Sequence, residues 1–334
     1  NDGDVDSSDE FLHKKRKATD DAIDGGKKPA VKEEKDEEES DEEPKDKKKK
    51  PFPPKKDDDG EEPEADGDSE IKKNPKTADK KAEISKIESV DPAIGKLTKL
   101  VALNFASNWD LNAIPETIGD LQKLEVLNLY DCKNITEISD NLSKLKQLKT
   151  IELSYTQIEK IDFVYEMTQL ENLKLFSTKV NELDPKIKQL SNLEVLDIGL
   201  TSITSLPTEI GALLKLKEIR FSTFKKSFPD SLCNLTALEI LHGSFKGVKK
   251  PYPKEFGNLI NLKSLNVTHD TEPNIPSSFS KLEQLVTLSF RNSQFEKIPS
   301  VFNDLIKINH LDVWDNYIDE IEPKPETIGA LEAK

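Results

Sequence analysis

The sequence contains little cysteine and no long apolar run. Two of its 334 residues are cysteines and four are histidines. Two cysteines cannot build the disulfide framework of a small secreted domain, and four scattered histidines do not form a histidine-rich metal site. No apolar stretch approaches the roughly 20 residues that cross a bilayer. We therefore predict no cofactor, no metal, no membrane partner and an intracellular location, nuclear or cytoplasmic.

Catalytic motifs are lacking as well. No glycine-rich phosphate loop, serine–histidine–aspartate arrangement or pair of carboxylates stands out in the sequence. We therefore predict that the protein is not an enzyme and has no small-molecule substrate.

Charge is abundant but unevenly distributed. Charged residues make up 34% of the chain, and the formal net charge is -15. The first 80 residues alone hold 28 acidic and 19 basic side chains. Such a segment has too little apolar surface to offset the entropy lost on ordering. We predict a disordered acidic/basic tail over residues 1–80, whose net negative charge argues against nucleic-acid binding.

Two short signals lie within this tail. A dense basic run has the composition of a nuclear import signal. Its residues are Lys14, Lys15, Arg16 and Lys17. Ser7 and Ser40 each precede an acidic residue by three positions, a spacing that resembles the sites of acidophilic kinases. Phosphate on these serines would deepen the negative charge of the tail.

A leucine frame recurs through the rest of the chain. The pattern L-x-x-L-x-x-L-x-L returns every 22 to 24 residues. Its ten copies begin at Leu97, Leu121, Leu145, Met167, Leu190, Leu213, Leu235, Leu259, Leu282 and Leu305. One such repeat cannot bury its own apolar face, so neighbouring repeats must stack. We expect x-L-x-L-x to form a parallel strand with its leucines in the core and its x residues on a concave face.

The convex side of each repeat follows a second pattern, as in "IPETIGDL" from Ile114. Together the two patterns resemble the leucine-rich repeat proteins, and they are similar to the intracellular Ras-group-related leucine-rich repeat scaffolds. The resemblance implies an α/β leucine-rich repeat solenoid, a horseshoe with a parallel concave sheet. It also implies protein partners, possibly a small GTPase or a protein phosphatase, although fold alone does not fix a partner.

The repeats set the expected domain boundaries. Residues 81–96 place apolar side chains at helical spacing and are predicted to form an N-terminal cap. These side chains are Ile84, Ile87, Val90 and Ile94. Residues 97–334 are predicted to form about ten repeats. An eleventh, incomplete repeat is expected because "PETIGALEAK" from Pro325 repeats an earlier segment.

One slot of the frame, five residues after its third leucine, is normally asparagine in this family, and we call it the ladder slot. The resemblance implies that its side chain bonds the backbone of the turn beneath. Cys132 occupies this slot in the second repeat, and Cys233 replaces a convex glycine, so both are predicted to be core or turn residues. Phe224 and Lys246 depart from the pattern. We therefore expect a distorted turn in repeats six and seven.

Side chains on the concave face are the candidate partner-binding residues, because aromatic residues and arginine dominate interface energetics. The candidates are Tyr130, Asp131, Glu152, Tyr155, Phe176, Asp197, Arg220, His242, Phe245, His269, Arg291 and Trp314. Glu152 and Asp197 are interpreted as solvated recognition charges, and the histidines as exposed. The alternative is that the rings pack laterally on each other and stiffen the sheet.

A basic cluster stands out in repeats six and seven. It consists of Lys225, Lys226, Lys246, Lys249, Lys250 and Lys254. The cluster is either a solvated rim or a docking site for an acidic partner or for the acidic tail of the chain itself.

The sequence favours a non-catalytic interaction module or scaffold that binds a partner protein on its concave face, in intracellular signalling or nuclear regulation. Three alternatives remain open. The chain could be a regulatory or targeting subunit for a protein phosphatase or small GTPase, or the regulatory part of a larger nuclear enzyme. It could also be a receptor ectodomain, because four N-x-[ST] sequons occur, at Asn134, Asn141, Asn234 and Asn266.

Overall fold

The computed structural model describes residues 87–269 and 271–318, and the backbone of a strand at 330–332. The predicted tail over residues 1–80 lies outside the described residues, and so do its import and phosphorylation candidates. Ile84 of the predicted cap also lies outside them.

Short strands alternate with short 3-10 helices throughout the described chain. The strands are β1 (Ala102–Asn104), β2 (Val126–Asn128), β3 (Thr150–Glu152), β4 (Asn172–Lys174), β5 (Val195–Ile198), β6 (Glu218–Phe224), β7 (Ile240–Phe245), β8 (Ser264–His269), β9 (Thr287–Ser289), β10 (His310–Asp312) and β11 (Ala330–Glu332). The helices are η1 (Pro92–Lys96), η2 (Glu116–Asp120), η3 (Asp140–Lys144), η4 (Asp162–Glu166), η5 (Pro185–Gln189), η6 (Thr208–Ala212), η7 (Asp230–Asn234), η8 (Phe256–Asn258), η9 (Ser277–Lys281) and η10 (Ser300–Asp304). None of the helices in the described ranges has the length and apolarity needed to cross a membrane.

The strands form a single sheet in chain order. Each described pair of neighbours is parallel, and the third leucine position of one repeat pairs with the same position of the next. Leu127, for example, pairs with Ile151, which pairs with Leu173. All three side chains are fully buried. The two-residue alternation of a strand therefore places the leucine frame in the core and the intervening residues on the concave face.

Proline and aspartate begin the convex helices. Five of the ten described helices have proline as N-cap, where its restricted φ suits the turn into the helix. These prolines are Pro115, Pro207, Pro229, Pro276 and Pro299. Asp91 and Asp184 precede a proline and cap with their carboxylates, which accept the N–H groups of Ala93 and Lys186 at 2.7 Å. Proline or an aspartate cap therefore fixes where these convex helices begin.

Glycines let some of these helices approach closely. A Cβ added at Gly119 would lie 2.3 Å from the carbonyl oxygen of Asn141, and one added at Gly211 would lie 2.4 Å from that of Ser231. Both distances are too short for a real contact. At these two positions any larger residue would push neighbouring repeats apart.

Residues 87–96, the described part of the predicted cap, do not form the regular helix that the apolar spacing suggested. Ser89 forms a parallel bridge with Ala113, and a five-residue 3-10 helix, η1, follows. Asp91 is extended because proline follows it, which disfavours helical backbone at that residue. Val90 and Ile94 nevertheless pack against the core, as a covering role requires.

Repeats six to eight depart from the others, and the predicted distortion of the turn is confirmed. Strand β6 has seven residues and β7 and β8 have six each, whereas most strands have three. The pairing of β6 with β7 shifts register between Arg220 and Thr223. Beyond the shift, the paired residues Phe224 and Phe245 both point into the core.

The expectation that Phe245 and His269 face the concave side is wrong. Both are only 2% exposed. Strands β7 and β8 pair without irregularity and run on to Phe245 and His269, so the two-residue alternation places these side chains on the same face as the buried Leu241 and Leu265. Phe245 instead packs edge-on against Phe228 at 4.9 Å and stacks on His269 at 5.4 Å, between ring centroids.

Candidate functional site

Each regular repeat ends its strand with a residue in the left-handed region. We call this position the turn slot. Its occupants with positive φ are Ser107, Asp131, Tyr155, Ser177, Leu200, Asn292 and Asp315. The conformation directs the backbone N–H to the next repeat, as Tyr155 N–H donates to the Phe176 carbonyl at 2.8 Å. The turn slot is therefore part of how repeats join.

Five apolar or aromatic side chains follow one another along this edge of the concave face, one from each of the first five repeats. This apolar ridge consists of Trp109, Tyr130, Tyr155, Phe176 and Leu200. The Tyr155 ring lies 5.4 Å from that of Tyr130 and 5.3 Å from that of Phe176, between centroids. Trp109 and Leu200 are each 55% exposed. Rings at such distances attract one another, so the ridge is held in place before any partner arrives.

Phe176 lies over the next repeat because Gly199 leaves room for it. A Cβ at Gly199 would lie 2.7 Å from Cδ2 of the Phe176 ring. Lateral packing of the rings, the alternative to partner binding in the sequence, is thus present between Tyr130, Tyr155 and Phe176. It leaves Tyr155 and Phe176 half-buried and Tyr130 buried.

Trp109 was missed by reasoning from the sequence. Its Nε1 donates to Asp131 Oδ2 at 2.8 Å, and the Lys133 Nζ lies 5.3 Å from its ring centroid. Lys133 also pairs with the Asp131 carboxylate at 3.5 Å. Asp131 is buried by these contacts. Trp109 directly follows Asn108 of the ladder slot and so lies beyond the strand positions that carry the other candidates. The rarity of tryptophan in the chain, with two residues, was the available signal.

The concave carboxylates Glu152 and Asp197 are buried, so their interpretation as solvated recognition charges is wrong. Glu152 Oε1 accepts the N–H of Ser154 at 3.0 Å, and Asp197 Oδ1 accepts that of Gly199 at 3.1 Å. A backbone N–H at the end of a short strand needs an acceptor, and a side chain two residues earlier can reach it. Glu152 also lies 3.6 Å from the Lys174 ammonium.

The same capping contact recurs in other repeats. Asn128 Oδ1 accepts the N–H of Tyr130 at 2.9 Å, and Asp312 Oδ1 accepts that of Trp314 at 3.1 Å. The residue two positions before Tyr130 and Trp314 therefore caps the backbone at the end of its strand.

The two arginines of the face pair with carboxylates. Arg220 Nε donates to Glu218 on the same strand, and Arg291 Nε donates to Asp312 on the next strand. His242 Nε2 lies 2.8 Å from Ser264 Oγ. Burial, and then the charge of Arg220, lower the pKa of His242 to about 4. This histidine is therefore neutral at neutral pH.

His269 is buried, so the expectation that it is exposed is wrong. Its Nε2 lies 3.2 Å from the Tyr252 hydroxyl and its Nδ1 lies 3.2 Å from Ser293 Oγ. Burial raises the pKa of Tyr252 well above its ordinary value. Both groups contribute to the interior of repeats eight and nine.

The structure thus divides the twelve predicted partner-binding residues by exposure. Trp314 is 47% exposed. Five are half-buried, namely Tyr155, Phe176, Arg220, His242 and Arg291. Six are buried, namely Tyr130, Asp131, Glu152, Asp197, Phe245 and His269.

The ladder slot bonds backbone as the resemblance implied. Thr156 and Thr178 hydroxyls donate to the carbonyls of Leu153 and Leu175 at 2.7 and 2.8 Å. The Cys132 thiol reaches the Phe105 carbonyl of the repeat beneath at 3.1 Å. Both cysteines are free thiols and buried, and burial raises each pKa to about 11. Within the described residues, no group of histidine, cysteine and carboxylate side chains could hold a metal ion.

Comparison with known proteins agrees with this architecture. Residues 152–272 match the family model of a leucine-rich repeat region. Residues 152–272 are therefore a leucine-rich repeat region. TMV resistance protein N of Nicotiana glutinosa is 31% identical to it over 137 residues, which are 38% of this chain and 12% of that protein. The leucine-rich repeat chain therefore spans about an eighth of the curated relative it matches.

Solved structures share the fold. A leucine-rich repeat protein of Leptospira interrogans superposes with a TM-score of 0.62 at 22% identity, over 74% of this chain and 69% of that one. The Arabidopsis receptor kinase HAESA, in complex with the peptide hormone IDA and the co-receptor SERK1, gives a TM-score of 0.55 at 20% identity, over 68% of this chain and 41% of that one. At these identities the likeness shows the leucine-rich repeat fold alone.

Proposed function

We propose that this leucine-rich repeat protein binds a partner protein on its concave face, through the apolar ridge. The observation that carries the proposal is the choice of Tyr155 and Leu200 at the turn slot. A left-handed backbone costs a residue with a side chain roughly 1–2 kcal/mol. Other repeats place serine, aspartate or asparagine there, residues that tolerate the conformation better. The architecture requires the backbone conformation but not these bulky apolar side chains.

The composition of the surface supports the same proposal. Trp109, Tyr155 and Phe176 are the residue types that contribute most to protein interfaces. Asp131 and Lys133 border the ridge at one end, and Glu152 and Lys174 lie beside it. An apolar centre with a charged border is the usual anatomy of a protein interface. Because the rings are already packed, binding would need little rearrangement and little loss of side-chain entropy.

The proposed setting is intracellular signalling or nuclear regulation, with the protein as a scaffold or as a targeting subunit for a phosphatase or small GTPase. This part rests on the repeat resemblance and on the basic run Lys14 to Lys17. In a further version of this proposal, the chain is the regulatory part of a larger nuclear enzyme. Replacing the four basic residues with alanine in a fluorescent fusion should move it from nucleus to cytoplasm. An unchanged distribution of the fusion would refute the proposed nuclear setting.

The second candidate is a receptor ectodomain. The HAESA structure is a receptor bound to a peptide hormone, and the sequon residues Asn134 and Asn234 are exposed. On this reading the natural protein carries N-linked glycan. A glycosidase that lowers its apparent mass on a gel would favour the receptor candidate over the intracellular one.

Paired variants of the full chain test the ridge. F176E combined with L200E puts two charges on the ridge. The matched control is L214E combined with I260E, which puts the same charges on apolar side chains that are 61% and 52% exposed elsewhere. Proteins captured from the source extract should bind the ridge variant at least about tenfold more weakly than the wild type, a loss of roughly 1.4 kcal/mol, and bind the control equally well. Equal capture by both variants would refute the proposal.

A further inference from the structure

A second charged surface lies outside the apolar ridge, on the loops that follow β6 and β7. This lysine face consists of Lys225, Lys226, Lys246, Lys249, Lys250 and Lys254. All six side chains are exposed. Phe224 pairs with Phe245, so the lysines that follow them, Lys225 and Lys246, lie side by side on neighbouring repeats. Adjacent repeats bring them to a separation set by the strand spacing, about 4.8 Å.

The positive charge of the lysine face is not balanced locally. Within the described residues, no carboxylate forms an ion pair with any of the six lysines, although other exposed lysines do so, as Lys149 pairs with Glu125 at 2.8 Å. The corresponding loops of repeats two to four mix both signs. They carry Lys133 with Glu137, Lys160 with Glu159, and Lys179 with Glu182. These two consecutive loops, residues 225–229 and 246–255, hold six lysines against one acid, Glu255, which is a local departure from those repeats.

The backbone beneath the lysines is held in place from both sides. The Ser227 hydroxyl donates to the Lys250 carbonyl at 2.7 Å, and the Lys246 N–H donates to the Phe224 carbonyl at 2.9 Å. The Asn274 N–H donates to the Lys249 carbonyl at 2.8 Å, which ties the second loop to the next repeat. The buried Val248 anchors the same loop in the core. The charges therefore stand on a fixed platform.

We propose that the lysine face binds a short acidic segment of a partner protein, a run of aspartate and glutamate residues. Opposite charge supplies the attraction, and the fixed backbone limits the entropy lost on binding. The rest of the chain limits the length of the ligand. Asp230, Glu255 and Glu272 are exposed around the face, and the whole chain has a net charge of -15. A long polyanion such as duplex DNA would extend onto this negative surface and be repelled there. A short peptide would not, because charges more than about 8–10 Å away, one Debye length, are largely screened.

This surface is independent of the apolar ridge, so either proposal can fail alone. The lysine face belongs to repeats six and seven, whereas the ridge belongs to repeats one to five. A partner that engages both would combine an apolar contact with an acidic segment, but neither site requires the other.

Fluorescence anisotropy of the full chain with a labelled octapeptide of alternating aspartate and glutamate tests the proposal. The wild type should bind the peptide, and affinity should fall as salt is raised. The variant K246E/K249E/K250E should bind at least tenfold more weakly. The matched control K144E/K186E/K188E, which reverses three exposed lysines elsewhere, should stay within about twofold of the wild type.

Three results would overturn the proposal. The wild type could show no binding, or both triple variants could lose affinity equally, which would make the effect one of net charge. Duplex DNA of about 20 base pairs could bind more tightly than the peptide, which would make the face a nucleic-acid surface. The neutral variant K246Q/K249Q/K250Q separates loss of charge from misfolding. It should retain the wild-type circular dichroism spectrum and bind the peptide with an affinity between those of the wild type and the charge-reversed variant.

Discussion

At the scale of single residues, Asp197 shows how a carboxylate of the concave strands stabilises the fold. Its carboxylate is 2% exposed and accepts the Gly199 N–H. We expect Asp197→Ala to lower the free energy of unfolding by about 1–3 kcal/mol, because a buried N–H loses its acceptor. Asp197→Asn keeps a carbonyl acceptor and should lose less. Urea denaturation measures both, and equal losses would show that the capping contact is unimportant.

His242 makes a testable contribution to the pH dependence of stability. Its pKa is lowered from 6.5 to about 4, so the unfolded chain binds a proton between these values that the folded chain does not. Stability should therefore be full above about pH 6.5 and fall as pH drops towards 4, by up to about 3 kcal/mol from this residue. His242→Gln should remove that part of the pH dependence in urea denaturation followed from about pH 7.5 to 4.5. Superimposable profiles for the two proteins would contradict the assignment.

The two cysteines should be chemically inert in the folded protein. Burial raises the pKa of Cys132 and Cys233 from 9.0 to about 11, so the reactive thiolate is scarce and shielded. We expect neither thiol to react with a thiol-specific reagent near neutral pH on a timescale of minutes, and both to react once denaturant is added. Rapid labelling of the native protein at either position would show that the repeat around it opens.

At the scale of elements, contact between convex helices depends on glycine. Gly211→Ala places a Cβ 2.4 Å from the Ser231 carbonyl oxygen, which the neighbouring repeat can relieve only by moving. We expect a loss of about 1–3 kcal/mol, as for other overpacked sites. Ser143 occupies the equivalent position of η3. Ser143→Ala removes atoms rather than adding them and should change the denaturation midpoint little, so comparable losses would argue against the steric explanation.

The strands show what the sequence can and cannot predict. The leucine frame predicts nearly every strand, because a two-residue alternation that recurs at a fixed period has one way to bury its leucines. Phe224 at the ladder slot even signals the irregularity in β6. The sequence does not reveal the path of the chain beyond Arg220. This path depends on how the rings of Phe221 and Phe228 pack around that of Phe224, with centroid distances of 4.2 and 6.1 Å. Phe245 and His269 were predicted wrongly because β7 and β8 continue as strand through the position at which the regular repeats turn.

The candidate site is only partly predictable for a related reason. Tyr155 and Phe176 were predicted because they occupy the two positions that follow the strand leucines, where the sequence predicts outward-facing side chains. Trp109 was not, because its hydrogen bond to Asp131 joins two repeats at their turns. Glu152 was interpreted as a recognition charge because a sequence does not show which strand-end N–H lacks an acceptor. Exposure at such positions is a property of the folded turn.

At the scale of the whole molecule, two different surfaces occupy different parts of one array. Each repeat contacts mainly its neighbours, so a solenoid can vary one region without disturbing another. The first five repeats present aromatic side chains and Leu200 at or beside left-handed turns. Repeats six and seven have longer strands bordered by lysines in place of those turns. The change in local backbone at Arg220 thus coincides with the change in surface chemistry.

Hydroxyl-radical footprinting of the full chain, alone and with a protein it captures, tests the central claim most directly. Radical attack reports the exposure of aromatic side chains and, at lower rates, of leucine and isoleucine. The account predicts that Trp109, Tyr155 and Phe176 are oxidised in the free protein and protected in the complex, while the exposed Leu214 and Ile260 remain unprotected. A complex in which the ridge is oxidised as fast as in the free protein, with protection elsewhere, would contradict the assignment of the ridge as the binding surface.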